Sequence, residues 1–328
     1  MARLSVQELA TRRRVTALWI QNNRPNDTAM LSPGCMMYPY KGEEVQKCIG
    51  QKELTFIGDS VTRKLFFQTA NLIDNALPTS PPDSTQKHAD YSYQTKNGLR
   101  VTFLWDPFLN GTKTKDMLTR TKDYISSPGE QQQAMVVLGS GLWYLRYANT
   151  SGGIPAWESN MDRIVGYLSK YAPAAQNVVI LPVEDVVSSK LAQDRAETMH
   201  GSDIDAMNSD LFHRIAPLTA KTSPIFRSKP ASQLVSLPTV FNKMLHESLT
   251  DDGLHFSDGL VRTQAQVLVN LHCNDIMPKV FPYSKTCCNR YPWPSFPHLI
   301  FLAFAFTLGP YIAYRTFSSC ESSFFVTI

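Results

Sequence analysis

The sequence predicts an α/β fold built on a parallel sheet with helices on both faces. Three observations predict it. Short, continuously apolar strands recur between residues 54 and 184, as in sheets covered on both sides. Stretches with 3.6-residue apolar periodicity separate them. The 328 residues, 43% hydrophobic and 18% charged, have a globular composition and can bury a sizeable core.

The elements follow in order. Residues 54–57, LTFI, read as the first strand, and 61–76 as a helix with Val61, Leu65, Phe66, Ala70, Leu72 and Ile73 in its apolar stripe. LPTSPPDST at 77–85 is a loop by its prolines and serines. Further strands are expected at 99–106, 134–140 and 177–184, with helices at 157–171 and near 203–217. A last helix spans 257–273, with Ser257 or Asp258 as N-cap. In parallel sheets, ligand sites lie outside the carboxyl ends of the strands. Ser60, Gly139 to Gly141 and Glu184 fall at such ends.

Composition narrows the function classes. A net charge of +4, with no basic stripe beyond TRRR at 11–14, argues against nucleic-acid binding. Cys35, Cys48, Cys273, Cys287, Cys288 and Cys320 form no C-x-x-C pair and have no His-rich partner, which argues against a zinc site. Sequons at Asn26, Asn110 and Asn149, together with paired-looking cysteines, lean toward an oxidising secretory compartment. The N-terminal VTALWI is too short for a signal-peptide core. Residues 299–314 are free of charge, lie between Arg290 and Arg315, and carry aromatics at both ends, the pattern of a membrane span. The expected organisation is an N-terminal arm at 1–33, a catalytic domain at 34–275 and a Cys/Pro-rich connector at 276–297. A transmembrane helix at 298–315 and a short tail at 316–328 complete it.

The chemistry centres on two stretches. In FIGDSV, Ser60 follows a strand and opens a helix, where Gly58 allows a sharp turn. A helix N-terminus carries unpaired N–H groups and about half a positive charge, a suitable place for an oxyanion. The plain alternative is that Ser60 caps the helix. A serine nucleophile needs a base, and the base an orienting acid. Of seven histidines, His255 in DGLHFSD stands out, because Asp252 precedes it by three residues in a glycine turn before a helix. Asp251 competes for the orienting role. His88 lies in a polar loop, His272 reads as a packing residue of the last helix, and His200, His213, His246 and His298 have no acid evidently placed to steer them.

Gly-Asp-Ser after the first strand and Asp-x-x-His before the last helix, in one chain, resemble the SGNH/GDSL hydrolases. That resemblance implies a three-layer α/β/α, flavodoxin-like sheet. FIGDSVTRKLFF, VVLGSGLWYL, DGLHFSD, AQVLVNLHCND and KTCCNRYPWP more narrowly resemble the luminal, PC-esterase-like domain of the sialic acid and fungal capsule polysaccharide O-acetyltransferases, over roughly 34–297. The resemblance implies Ser60 as nucleophile, His255 as general base and Asp252 as its orienter. Arg63 is implied as a substrate-binding residue, against the alternative of a helix-surface arginine. No Gly-x-Asn-Asp follows the third strand; GSGLW stands there instead. The oxyanion donors are therefore read as the Ser60 N–H with a backbone N–H near Gly139 or Gly141, and Trp143 as a wall of the pocket.

The implied activity is acetyl transfer to a glycan hydroxyl in the Golgi lumen, with an esterase or a non-catalytic glycan-binding module as alternatives. No bound cofactor is expected; acetyl-CoA or an acetylated intermediate would be the donor. Transferases of this kind continue into a many-helix membrane domain thought to supply that donor. The resemblance therefore implies either a truncated product or a module relying on a separate multi-span subunit. A disulfide is expected between Cys35 and Cys48, with pairing among Cys273, Cys287 and Cys288 left open.

Overall fold

The computed structural model describes residues 30–32, 35–120, 132–171, 175–220, 234–274 and 276–278. The chain divides into two units, Met1–Ser284 and Lys285–Ile328, and the second lies outside the described residues. So do the expected transmembrane segment, Cys287, Cys288, Cys320 and Asn26. Among the described residues no helix is long and apolar enough to cross a membrane.

The strands are β1 (Met30–Ser32), β2 (Cys35–Met36), β3 (Glu53–Gly58), β4 (Tyr91–Gln94), β5 (Arg100–Trp105), β6 (Gln133–Gly139), β7 (Asn177–Ile180) and β8 (Leu234–Ser236). The helices are α1 (Gly42–Ile49), α2 (Ser60–Ile73), α3 (Thr112–Thr119), α4 (Leu142–Arg146), α5 (Ala148–Ser151), α6 (Gly153–Lys170), α7 (Gln193–Ala196), α8 (Gly201–Ala220), α9 (Val240–Lys243) and α10 (Asp258–Cys273). β1 and β2 form a small antiparallel pair; the other strands form one sheet in the order β4-β5-β3-β6-β7-β8. That sheet is parallel except for β4, which runs antiparallel along β5 at one edge. This is a three-layer α/β fold with a mostly parallel sheet.

Two-residue alternation distributes each central strand between two cores. From β3 and β6, Leu54, Phe56, Met135 and Val137 join Val45 of α1, Leu65 and Phe66 of α2 and Leu268 of α10. Ile57, Val136 and Leu138 face the other way, toward Leu118 of α3, Trp157 and Ile164 of α6 and Ile204 of α8. Both faces of these strands are dry, which is why their sequences read as unbroken apolar runs.

The expected strand at 177–184 stops at Ile180, because Pro182 has no N–H for a ladder; Leu181 makes a last bond to the Leu138 carbonyl at 2.7 Å. The disulfide is a correction. Cys48 pairs with Cys273, not Cys35, across a Cα separation of 5.9 Å. The reason lies in the chain before α1. Asn270 and Gln266 of α10 bond the backbone N–H and C=O of Tyr38 and Tyr40 at 2.8–3.1 Å. Those bonds lay the segment along α10 and bring α1 beside its C-terminal end.

Candidate active site

The register of the sheet assembles the site. Gly58 at the end of β3 lies opposite Trp105 of β5 and Gly139 of β6, so the three strands finish along one edge. A Cβ at Gly58 would run into the Gly139 carbonyl and the Thr62 side chain; one at Gly139 would run into Thr62 Oγ1. The two glycines let the first turn of α2 settle on the sheet, where Thr62 Oγ1 donates to the Gly139 carbonyl at 3.3 Å.

Asp59, not Ser60, caps α2. Its carboxylate accepts from the N–H groups of Val61 at 3.0 Å and Thr62 at 3.3 Å. Burial pushes the Asp59 carboxyl up to about 6, against the lowering effect of those N–H groups and of Arg63. Ser60 is thereby relieved of the capping role. Its Oγ lies 3.0 Å from His255 Nε2, and His255 Nδ1 lies 2.7 Å from Asp252 Oδ2. With Nδ1–H donating to the carboxylate, Nε2 is left to accept the Ser60 proton.

Asp252 is the acid against the ring; Asp251 is exposed in the same turn. Asp252 Oδ1 accepts from the backbone N–H of His255 at 2.7 Å and of Leu254 at 3.0 Å. Burial works to raise this carboxyl, but the bonds from the His255 backbone and ring and the Leu254 N–H outweigh it and hold it well below the usual carboxylate range. Gly253, at φ +74°, permits the turn; a side chain there would meet the Val187 carbonyl and the Leu191 N–H.

A cleft of about 450 Å³ opens over Ser60 and His255. Arg63, one turn into α2, lines it, sits 5.5 Å over the Trp105 ring and buries its Nη1 without a hydrogen-bond partner. Trp143 forms an aromatic wall, edge-on to Trp105 at 5.5 Å and to Phe108 at 5.9 Å. His88 stacks on Trp105 at 4.4 Å. The polar loop of the sequence reading thus brings a histidine into the cleft, beside Lys87. Arg146 and Arg195 also line it, and nothing in their local sequence announced them.

Leu142 and Trp143 face this cleft, whereas Gly139 and Gly141 are not among its lining residues. Gly139 lines a separate small pocket with Asp59 and Glu184. Burial first, then the charge of Asp59, pushes the Glu184 carboxyl well up. Gly141 is the N-cap of α4, where a Cβ would strike the Val183 side chain. Of the sequon asparagines, Asn110 and Asn149 are exposed.

No family model matches the chain. It is 25% identical over 264 residues to an N-acetylneuraminate (7)9-O-acetyltransferase from Danio rerio, a match covering 79% of this chain and 30% of the relative. The chain therefore spans less than a third of that relative's length. A Geobacillus acetyl-xylooligosaccharide esterase aligns at 12% identity and TM-score 0.37, over 67% of this chain and 95% of its own. An alpha/beta hydrolase from the metagenome of Lake Arreo, Spain, aligns at 12% and 0.38, over 69% and 97%. Such low scores add nothing to the strand order described above. Along 79% of its length, the chain is similar in sequence to an N-acetylneuraminate (7)9-O-acetyltransferase, the kind of protein that FIGDSVTRKLFF, VVLGSGLWYL, DGLHFSD, AQVLVNLHCND and KTCCNRYPWP resemble.

Proposed function

We propose that this chain is a glycan O-acetyltransferase working through an acetyl-Ser60 intermediate. One observation carries the reading: Ser60 Oγ, the His255 ring and the Asp252 carboxylate stand in a hydrogen-bonded line, at 3.0 and 2.7 Å, and Ser60 and His255 line a cleft. His255 Nε2 takes the Ser60 proton as Oγ bonds to the acetyl carbonyl carbon, then hands it to the departing group of the donor. In the second half, the same nitrogen takes the proton of a sugar hydroxyl. That oxygen attacks the acetyl carbon, and Ser60 leaves with its proton restored. The Ser60 N–H, at the positive end of α2, is the proposed oxyanion donor.

The acceptor is proposed to be an acidic sugar, with its carboxylate on Arg63 and its ring against Trp143. An N-acetylneuraminate has such a carboxylate, and the place of Arg63 in the lining of the cleft, with Ser60 and His255, supports the assignment. Acetyl-CoA or an acetylated intermediate is proposed as donor. A Golgi-luminal domain at 34–275 with a membrane segment at 298–315 completes the reading. The Cys48–Cys273 disulfide supports an oxidising compartment.

Hydrolysis is the second reading. The His255 and Asp252 side chains are 33% and 43% exposed, so water reaches the ring when no acceptor fills the cleft. Incubating the full chain with a chromogenic acetyl ester, with and without a sialylated glycan, separates the two. Acetylated glycan by mass spectrometry supports transfer; ester loss with the glycan unmodified supports hydrolysis. Sugar binding without Ser60-dependent turnover would reject both in favour of a binding module.

A further inference from the structure

A strap after β7, residues 181–196, holds the Asp252–His255 turn through backbone and side-chain bonds. The Val187 N–H donates to the Gly253 carbonyl at 2.8 Å. Lys190 Nζ donates to the carbonyls of Glu247 and Thr250, both at 2.9 Å. Gly253 comes so close to Val187, Lys190 and Leu191 that a Cβ would not fit. At the end of the strap, on α7, Arg195 Nη1 reaches Asp252 Oδ2 at 3.3 Å, the same oxygen that holds His255 Nδ1.

We propose that Arg195 is a positioning residue for the reaction, acting through Asp252. Each carboxylate oxygen has a separate task. Oδ1 is fixed by its own turn, through the N–H groups of Leu254 and His255. From that turn Oδ2 has the imidazole; its contact from outside is Arg195, 57 residues away in sequence. A carboxylate held at one oxygen can still swing the other, and the ring with it. The guanidinium stops that swing and sets the direction in which Nε2 faces Ser60. The Arg195 side chain is 21% exposed and the Asp252 side chain 43%, so the pair gives orientation more than stability. Small displacements of a catalytic base have large effects on rate, which is where such a contact would register.

This inference rests on the reading of Ser60, His255 and Asp252 as catalytic, and its test is chosen to separate the two. The measurements on the full chain are the rate at which a fluorophosphonate labels Ser60, and kcat and KM for a chromogenic acetyl ester. Arg195→Gln is expected to slow labelling and lower kcat roughly tenfold, with KM within about twofold of the unaltered chain. Arg195→Lys, which keeps the charge, is expected to recover labelling to within about threefold. In an Asp252→Asn background, Arg195→Gln is expected to change labelling less than about twofold, because the group through which it acts is already altered. Thermal unfolding of each variant by circular dichroism checks that the comparison is between folded proteins, and the lysine variant keeps the test alive if the glutamine variant unfolds.

Labelling of Arg195→Gln at the unaltered rate overturns the inference. So does an equal loss in the Asp252→Asn background. A rise in KM with kcat unchanged also overturns it and makes Arg195 a substrate contact in the cleft. Failure of the unaltered chain to label at Ser60 at all removes the catalytic reading and this inference together.

Discussion

Ser60 and His255 meet at 3.0 Å, yet the chain holds them by different means. Ser60 is placed by a local device: a strand ends, Gly58 lets the chain turn against β6, and Asp59 caps the helix that begins at the serine. His255 sits in a turn between a 3₁₀ segment and α10, and contacts from other parts of the chain brace it. Lys64 of α2 pairs with Asp258 at 3.1 Å and bonds the Phe256 carbonyl; Val187, Lys190 and Arg195 bond it from the strap. Ser60 is therefore held by the sheet, and His255 by the packing around its turn. Replacing Ser60 itself should act on chemistry alone, and changes around the turn on chemistry and stability together.

Removing the Ser60 hydroxyl gives the sharpest form of that contrast. Ser60→Ala is expected to lower ester turnover at least about a thousandfold while leaving the melting temperature within about 2 °C, as measured by kinetics and circular dichroism. A variant that keeps substantial turnover would take Ser60 out of the mechanism. On the other side of the cleft, Gly253→Ala combines a positive φ with a Cβ that meets the Val187 carbonyl. It is expected to lower turnover about ten- to a hundredfold and to cost about 1–3 kcal/mol in denaturant unfolding. If turnover fell with no loss of stability, the turn would not depend on its packing as described.

The disulfide tests whether scaffold and site can be separated. Cys48→Ser with Cys273→Ser opens a covalent loop between residues 225 apart and is expected to cost about 2–4 kcal/mol, with ester turnover at low temperature within about threefold of the unaltered chain. A large loss of turnover in a folded variant would mean that α1 and α10 govern the site directly.

Asp59 gives an effect confined to the pH dependence of stability, and of definite sign. Its carboxyl is raised from 3.8 to about 6 in the folded chain. Its contribution to stability is therefore fully present below about pH 4 and lost as pH rises through 6. Asp59→Asn keeps a cap acceptor and cannot ionise. It is expected to flatten the pH dependence of unfolding between about 4 and 7 by up to about 3 kcal/mol. An unchanged pH profile would place the Asp59 carboxyl in its ordinary range.

Legibility in the sequence followed the same division. The central strands were readable because burial on both faces leaves unbroken apolar runs, as in FIG and AMVVLG. The antiparallel edge strand YSYQ was not read, since its residues alternate between buried and exposed over only four positions. The Gly-Asp-Ser and Asp-x-x-His motifs pointed to the three residues that the fold brings together. The cap on α2 was assigned to Asp59 only by the structure, since Asp and Ser are both good caps and stand side by side. His88, Arg146 and Arg195 were missed because each reaches the cleft from an element whose own pattern carries no mark of it.

By itself the sequence determined the central sheet, the junction at Ser60 and the pairing of Asp252 with His255, because strand burial, helix starts and tight turns are written in neighbouring residues. The partner of Cys48, the brace on Asp252 and the lining of the cleft were decided by tertiary structure. Those contacts join residues 225 and 57 apart, and only the packing of α1 on α10 and of the strap against the turn brings them within reach.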